Sequence, residues 1–343
     1  MRSGPRGASD EPPWSVSQLL AGHQRCQLAA LDLWHFQPPA AGGTSAASSP
    51  LPRMPPRLLY LRLAAAPQSW AFGGELLVLD ASGCGVCGRD LPDSIAACSG
   101  LRHLSLSDPC LRSLPPSTSS LSRLEALLLT GCSRLAHLPA STGGLGHLTA
   151  LLLGGCSSLS QLPASICSLA SLRTLDVSGC RALQQLPVDI GNLSSLSTLH
   201  IRWCTALQRL PDSIGRLSSL SELHASWCKA LRRLPDSIGR LFRLTMLDVS
   251  SCERLHLLPH SIGSLSSLRT LDISCCFRLN ELPDDISRLS SLRTLVIRGC
   301  SALQRLPDSI SRLPNLTPLN MFRRNSGCRD LQELSCSVSQ LSR

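Results

Sequence analysis

Aromatic residues are scarce in this sequence: 3% of it, as five Phe, five Trp and one Tyr. An ordinary globular core uses more rings, so the interior has to be built from Leu and Ile. Lysine is scarcer still, since Lys229 stands alone. That counts against chemistry that needs a phosphate-loop lysine or a Schiff-base lysine. No apolar run approaches the roughly 18 to 20 residues that cross a bilayer, so no membrane span is expected. The opening MRSGPRGASDEPPW places Pro, Asp and Glu where the apolar stretch of an export signal would stand. The motifs H-E-x-x-H and G-x-S-x-G, a dinucleotide fingerprint and a kinase signature are all missing, so no enzyme is expected.

What is present is 43% hydrophobic residues, 17 cysteines and a net charge of +10 from 33 basic and 23 acidic side chains. The apolar content is enough for a core. The charge allows an acidic partner without demonstrating one. Cysteines without an export signal predict free thiols in a reducing compartment, hence a cytoplasmic location extending to the nucleus. In that setting the glycosylation sequons at Asn192 and Asn315 are chance matches.

Self-similarity organises the chain. Leu124, Leu148, Leu172, Leu196, Leu220, Leu244, Leu268, Leu292 and Leu316 each begin a similar phrase, 24 residues apart. Leu101 opens a shorter unit and Leu76 a looser one. A clean instance is LRTLDVSGCRALQQLPVDIGNLSS, from Leu172 to Ser195. In L-x-x-L-x-V the apolar residues alternate with polar ones, the period of a short strand with one buried face. The cysteine turns the chain inward, and L-x-x-L-P closes the bend. The P-D-S-I-G-R-L segment is too short for a free helix and makes a turn or short helix on the outer side. No unit can bury its leucines alone; stacking pairs the strands into a parallel sheet over one continuous core. The predicted fold is therefore an α/β solenoid, a horseshoe with a parallel sheet on the concave face and short helices or turns on the convex face. A helical array is excluded because 24 residues with fixed Pro and Cys leave no room for paired helices.

The repeats are expected over 76–322. Residues 1–75 form an irregular N-terminal region with a Pro-, Gly- and Ser-rich linker at 37–57. LAALDL before the linker and LLYLRL after it are either decayed repeats that cap the sheet or sequence without a stable fold. Residues 323–343 form a C-terminal cap or tail.

These phrases resemble the C-terminal repeat region of plant intracellular immune receptors of the nucleotide-binding, leucine-rich repeat class, which use LDVSGC, LxxLPxxIGxLxxL and a Cys at the repeat bend. The Ras-pathway scaffold type of repeat protein is similar in its LPxxI segment but has a shorter unit and Asn at the bend. The G-x-x-x-x-G-K-[ST] phosphate loop of the receptor class is absent, with no Gly-Lys pair at all. The resemblance therefore implies a protein-binding part of a receptor, linked to plant defence recognition or signalling, and not nucleotide exchange. A truncated receptor, an adaptor and a partial gene model all fit. A general intracellular scaffold unrelated to immunity is the alternative.

Three sets of residues stand out. The bend cysteines recur in a line; thiols one rung apart do not converge as a zinc tetrahedron or meet as disulfides, so a buried structural role is expected. Cys84 and Cys87 form a lone CxxC. Asp212 and Arg216, Asp236 and Arg240, Asp284 and Arg288, and Asp308 and Arg312 are four apart and read as partly paired charges on the convex face. The concave positions are the candidate site: His200, Arg202, Trp203, Glu222, His224, Trp227, Asp248, Asp272 and Arg298. Trp203 and Trp227 share an offset on neighbouring rungs, where they either form an interface hot spot or fold down to shield the core edge. The expected partner is a protein on the concave face; no cofactor, no metal and no nucleotide are expected, and nucleic acid is not favoured.

Overall fold

The computed structural model describes residues 30–33, 60–63, 75–83 and 91–316. Twelve short strands stack in sequence order into one parallel sheet. They are β1 (Ala30–Leu33), β2 (Tyr60–Leu63), β3 (Val78–Asp80), β4 (His103–Ser105), β5 (Ala126–Leu128), β6 (Ala150–Leu152), β7 (Thr174–Asp176), β8 (Thr198–His200), β9 (Glu222–His224), β10 (Met246–Asp248), β11 (Thr270–Asp272) and β12 (Thr294–Val296). The LAALDL and LLYLRL phrases contribute β1 and β2, which pair in register ahead of β3.

The 24-residue unit explains the stacking. In the unit from Leu196, the residues Leu196, Leu199, Ile201, Cys204, Leu207, Leu210, Ile214 and Leu217 all point into the core and are buried. Each leucine removed from water contributes about 2 kcal/mol. Register is strict, with Leu199 beside Leu175 and Leu223, so a slip by one residue would turn the apolar set outward.

The proline that closes each L-x-x-L-P phrase leads into a 3₁₀ turn on the side opposite the strands. Pro211 holds φ −70°, and its carbonyl accepts Ile214 N–H at 3.0 Å to start the turn Asp212–Arg216. These turns pack tightly on one another: a Cβ at Gly239 would lie 2.3 Å from the Ser261 carbonyl oxygen. Between strand and turn runs a second, looser ladder, in which Gln208 N–H reaches Gln184 O and Arg232 N–H reaches Gln208 O at 3.4 Å.

The bend cysteines are structural donors. Cys204 Sγ–H donates to Val177 O at 3.2 Å and Cys228 Sγ–H to Ile201 O at 3.0 Å, each answering a carbonyl of the preceding unit. Burial pushes the Cys180 thiol up to about 12 and those of Cys204, Cys228 and Cys252 well above the ordinary value. Cys110 departs from the expectation of free thiols: it is disulfide-bonded, while the other described cysteines are free. The Cys84–Cys87 pair and the expected C-terminal cap lie outside the described residues.

The four Asp–Arg pairs spaced by four do not form ion pairs. A 3₁₀ turn has three residues per turn, so partners four apart diverge. Within a turn, Asp285 pairs instead with Arg288, three apart, at 3.1 Å, and it also meets His260 of the preceding turn at 3.0 Å.

Candidate functional site

Strands β8 to β10 hold most of the predicted concave residues in one network. His200 and His224 stack with ring centroids 4.6 Å apart. Arg202 Nη2 donates to His224 Nδ1 at 2.9 Å. An arginine can only donate, so the His224 proton sits on Nε2, from which it reaches Glu222 Oε2 at 3.1 Å. Arg202 Nη2 also lies 3.7 Å from Asp248 Oδ2. Burial holds His200 below the ordinary histidine value; the nearby Asp176 works against this, while the neighbouring His224 and the Arg202 guanidinium add to it.

The network is less open than its concave position implies. His224 and Asp248 are 6% and 7% exposed. Identical offsets on adjacent rungs cover one another, so a side chain that leaves the sheet is still shielded by its neighbours. Asp248 and Asp272 also serve the backbone: the Oδ1 of each accepts an N–H two residues on, from Ser250 at 3.0 Å and Ser274 at 2.9 Å. Burial raises the Asp272 carboxyl, and the Ser274 hydrogen bonds offset part of that. Asp272 and Arg298 sit on β11 and just after β12, beyond the Arg202–His224–Asp248 cluster; Arg298 is close enough to lower the Asp272 value.

The tryptophans occupy the bend after β8 and β9. Their rings stack 4.2 Å apart at 5° and remain 42% and 36% exposed. Lys229 Nζ lies 5.6 Å from the Trp227 ring centre and 2.7 Å from Glu253 Oε1. Both tryptophans have positive φ, 60° and 63°. That left-handed conformation costs a residue with a Cβ about 1 kcal/mol. At the same offset stand Gly131, Gly155, Gly179 and Gly299, with φ between 68° and 80°, and Ser251 and Cys275 at 58° and 56°. The column of glycines broken by two tryptophans was the signal in the sequence for this conformation; alternation of polar and apolar residues does not carry it.

A second surface was not foreseen. A cavity of about 1240 Å³ runs along the flank, lined by Gln185, Val188, Arg209, Arg233 and Leu257 among others. Among the described residues, no group of three or more His, Cys, Asp or Glu could hold a metal ion. No helix among them is long and apolar enough to cross a membrane.

The family described as leucine-rich repeat region matches residues 156–231, and that described as leucine rich repeat matches 267–289. No curated protein matches the chain. Among solved structures, the leucine-rich repeat domain of the type III effector XopL is 30% identical, with 76% of this chain and 75% of that one covered and a TM-score of 0.51. A TDR receptor is 24% identical over 72% of this chain and 44% of its own, with a TM-score of 0.52. The Toll–Spatzle complex of Drosophila, in its glycosylated form, is 21% identical over 76% and 36%, with a TM-score of 0.63; these last two likenesses concern the fold alone.

These findings relate the chain broadly to repeat receptors and effectors, and not specifically to the plant nucleotide-binding class. They also overturn the expected cytoplasmic and nuclear location: the similar structures are a type III effector domain, a receptor and the glycosylated Toll–Spatzle complex, none of which points to the cytoplasm or nucleus. The physical reason for the error lies in the cysteines. A thiol buried against a carbonyl is sheltered from oxidation in any compartment, so free cysteines in the ladder say nothing of location.

Proposed function

The chain belongs to the leucine-rich repeat proteins, and from that premise we propose that it is a protein-recognition module whose contact surface lies on β8 to β10 and the bend beside them. The observation that carries this reading is the stacked, exposed pair Trp203–Trp227, adjoining the Arg202–His224–Glu222 network. Large exposed rings with a charged border are the composition of interface hot spots. Glu222 and Arg202 keep 46% and 40% of their side-chain surface exposed, so they supply polar contacts around the rings. His224, Asp248 and Asp272 support the surface by holding Arg202 and the bend in place, and Arg298 extends it past β12.

Within this reading the module serves defence recognition in plants. The support is the residue-level likeness of LDVSGC and LPVDIGNL to the immune-receptor repeats. The test is quantitative capture from plant lysate on the intact chain, beside a Trp203→Ala, Trp227→Ala chain that gives the same circular dichroism spectrum. A defence component held by the first and lost by the second is the expected result. Equal recovery on both chains overturns the surface, and a partner with no place in defence overturns the plant-immunity part alone.

A further inference from the structure

The two faces of the tryptophan stack are not equivalent. Adjacent rungs lie about 4.8 Å apart, and the rings stack almost coplanar at 4.2 Å. Their planes therefore stand across the axis of the solenoid, each facing the rung before and the rung after. Beyond Trp227 stands Lys229, whose Nζ lies over that indole at 5.6 Å. Before Trp203 comes Gly179, then Gly155 and Gly131, at the same offset and with the same left-handed backbone. None of these rungs carries a side chain, so the second face of Trp203 opens over a bare strip. Among the described residues no ring or cation covers it.

We infer that the open face of Trp203 above Gly179 receives an aromatic side chain from an acidic segment of a partner protein. This rests on the protein-recognition reading and names the chemistry of the partner. A third flat ring would continue the stack at the spacing the sheet already sets, with the glycine strip as its floor. Two features select the class of partner. The first is flatness, because a slot one rung wide beside an indole favours a ring over a branched aliphatic group. The second is charge. The segments 130–134, 154–158 and 178–182 border the strip with Arg134 and Arg181 and hold no acidic residue. Both arginines are exposed and neither has an ion pair among the described residues. One carboxylate also borders the strip: Asp176 accepts Ser178 N–H on Oδ1 at 2.8 Å and its Oδ2 lies against Gly154, so two arginines face one acid there. A single-stranded nucleic acid fits less well, because it needs successive open platforms along a basic track, and here one ring face is open.

The backbone cost argues the same way. Trp203 and Trp227 hold a conformation that the three preceding units leave to glycine. Strain kept at an exposed aromatic pair points to a use for that pair.

The test is an NMR titration of the indole N–H signals of the full chain with the capped pentapeptides EEYEE, EEAEE and KKYKK and with decathymidylate. EEYEE is expected to bind at least about tenfold tighter than the other three probes, as one aromatic stack plus paired charges allows. Trp203→Ala, which removes the wall, and Arg181→Glu, which reverses the charge beside the strip, are each expected to weaken EEYEE by about tenfold. Arg181 is exposed, so the two variants test the ring and the charge separately. Retention of EEYEE binding by either variant, preference for any other probe, or binding of none overturns the slot. A Glu222→Lys chain separates the two readings. If it loses the captured partner while EEYEE fails to bind any chain, the concave surface stands and the slot alone falls.

Discussion

The bend after the strand is built in two ways along the same molecule. After β5, β6 and β7, and again after β12, it turns through Gly131, Gly155, Gly179 and Gly299; after β8 to β11 it turns through Trp203, Trp227, Ser251 and Cys275. The backbone is the same in both regions, left-handed and hydrogen-bonded to the next rung, as in Gly179 N–H to Arg202 O and Trp203 N–H to Ser226 O. Only the side chain differs. The fold therefore asks for the conformation, and glycine is merely its cheapest supplier. Where the chain departs from glycine it gives up stability, and for two of the four departures the return is an exposed aromatic stack.

The largest effect separates this column from another glycine column whose role is space. At Gly239 a Cβ would meet the Ser261 carbonyl oxygen at 2.3 Å, whereas at Gly131 it would meet nothing within 4 Å. Gly239→Ala is expected to cost about 3 kcal/mol, as overpacking against fixed backbone does. Gly131→Ala is expected to cost about 1 kcal/mol, from φ alone. Urea unfolding of both chains decides it, and similar midpoints would sink the distinction between crowding and conformation.

Next comes the ladder that both regions share. Cys180→Ala in the glycine region and Cys228→Ala in the tryptophan region each remove a buried thiol and its hydrogen bond to a carbonyl, Leu153 O and Ile201 O, which keep the N–H of Cys156 and Cys204. Each is expected to lose about 2 kcal/mol. A clear inequality between them would mean that the bend residue beside the cysteine alters the core as well as the surface.

A smaller and opposite change is expected at Ser251. It has φ 58° and forms no part of the tryptophan stack. Ser251→Gly should stabilise the chain by about 1 kcal/mol, since glycine adopts this conformation without strain. A loss of stability on thermal unfolding would show that the serine has a contact worth more than its strain.

The strands, the inward cysteines and the proline-led turns were legible because each follows from a period or a residue with one conformational habit. Three features were not. The sign of φ at the bend leaves no trace in an apolar pattern, and only the unusual exchange of Gly for Trp at one offset betrays it. The convex charges were misread because D-S-I-G-R fits an α-helical spacing as well as a 3₁₀ one, and five residues do not decide. The openness of His224 and Asp248 was overrated because exposure in a parallel stack depends on the next rung's residue at the same offset. Residues such as Arg202 and Glu222, long enough to reach past that neighbour, are the ones the structure leaves available.

The smallest expected effect concerns pH and confines itself to the tryptophan region. His200 stacks on His224 there, while the same offset on β5 and β6 holds Leu128 and Leu152, which do not titrate. Burial lowers the His200 value in the folded chain, with His224 and Arg202 adding to the effect against Asp176. The unfolded chain then binds the proton more readily, so stability is fully present above the unfolded value of about 6.5 and is lost as pH falls below it toward the folded value. Amide hydrogen exchange, corrected for intrinsic rates, is expected to show β8 and β9 losing protection between pH 7 and pH 5.5 while β5 and β6 change less. His200→Gln should remove most of that difference, because it keeps a polar side chain and discards the proton site. If the difference persists in that variant, the sensitivity belongs to the carboxylates of the concave network, and the two regions differ by their acids rather than by their histidines.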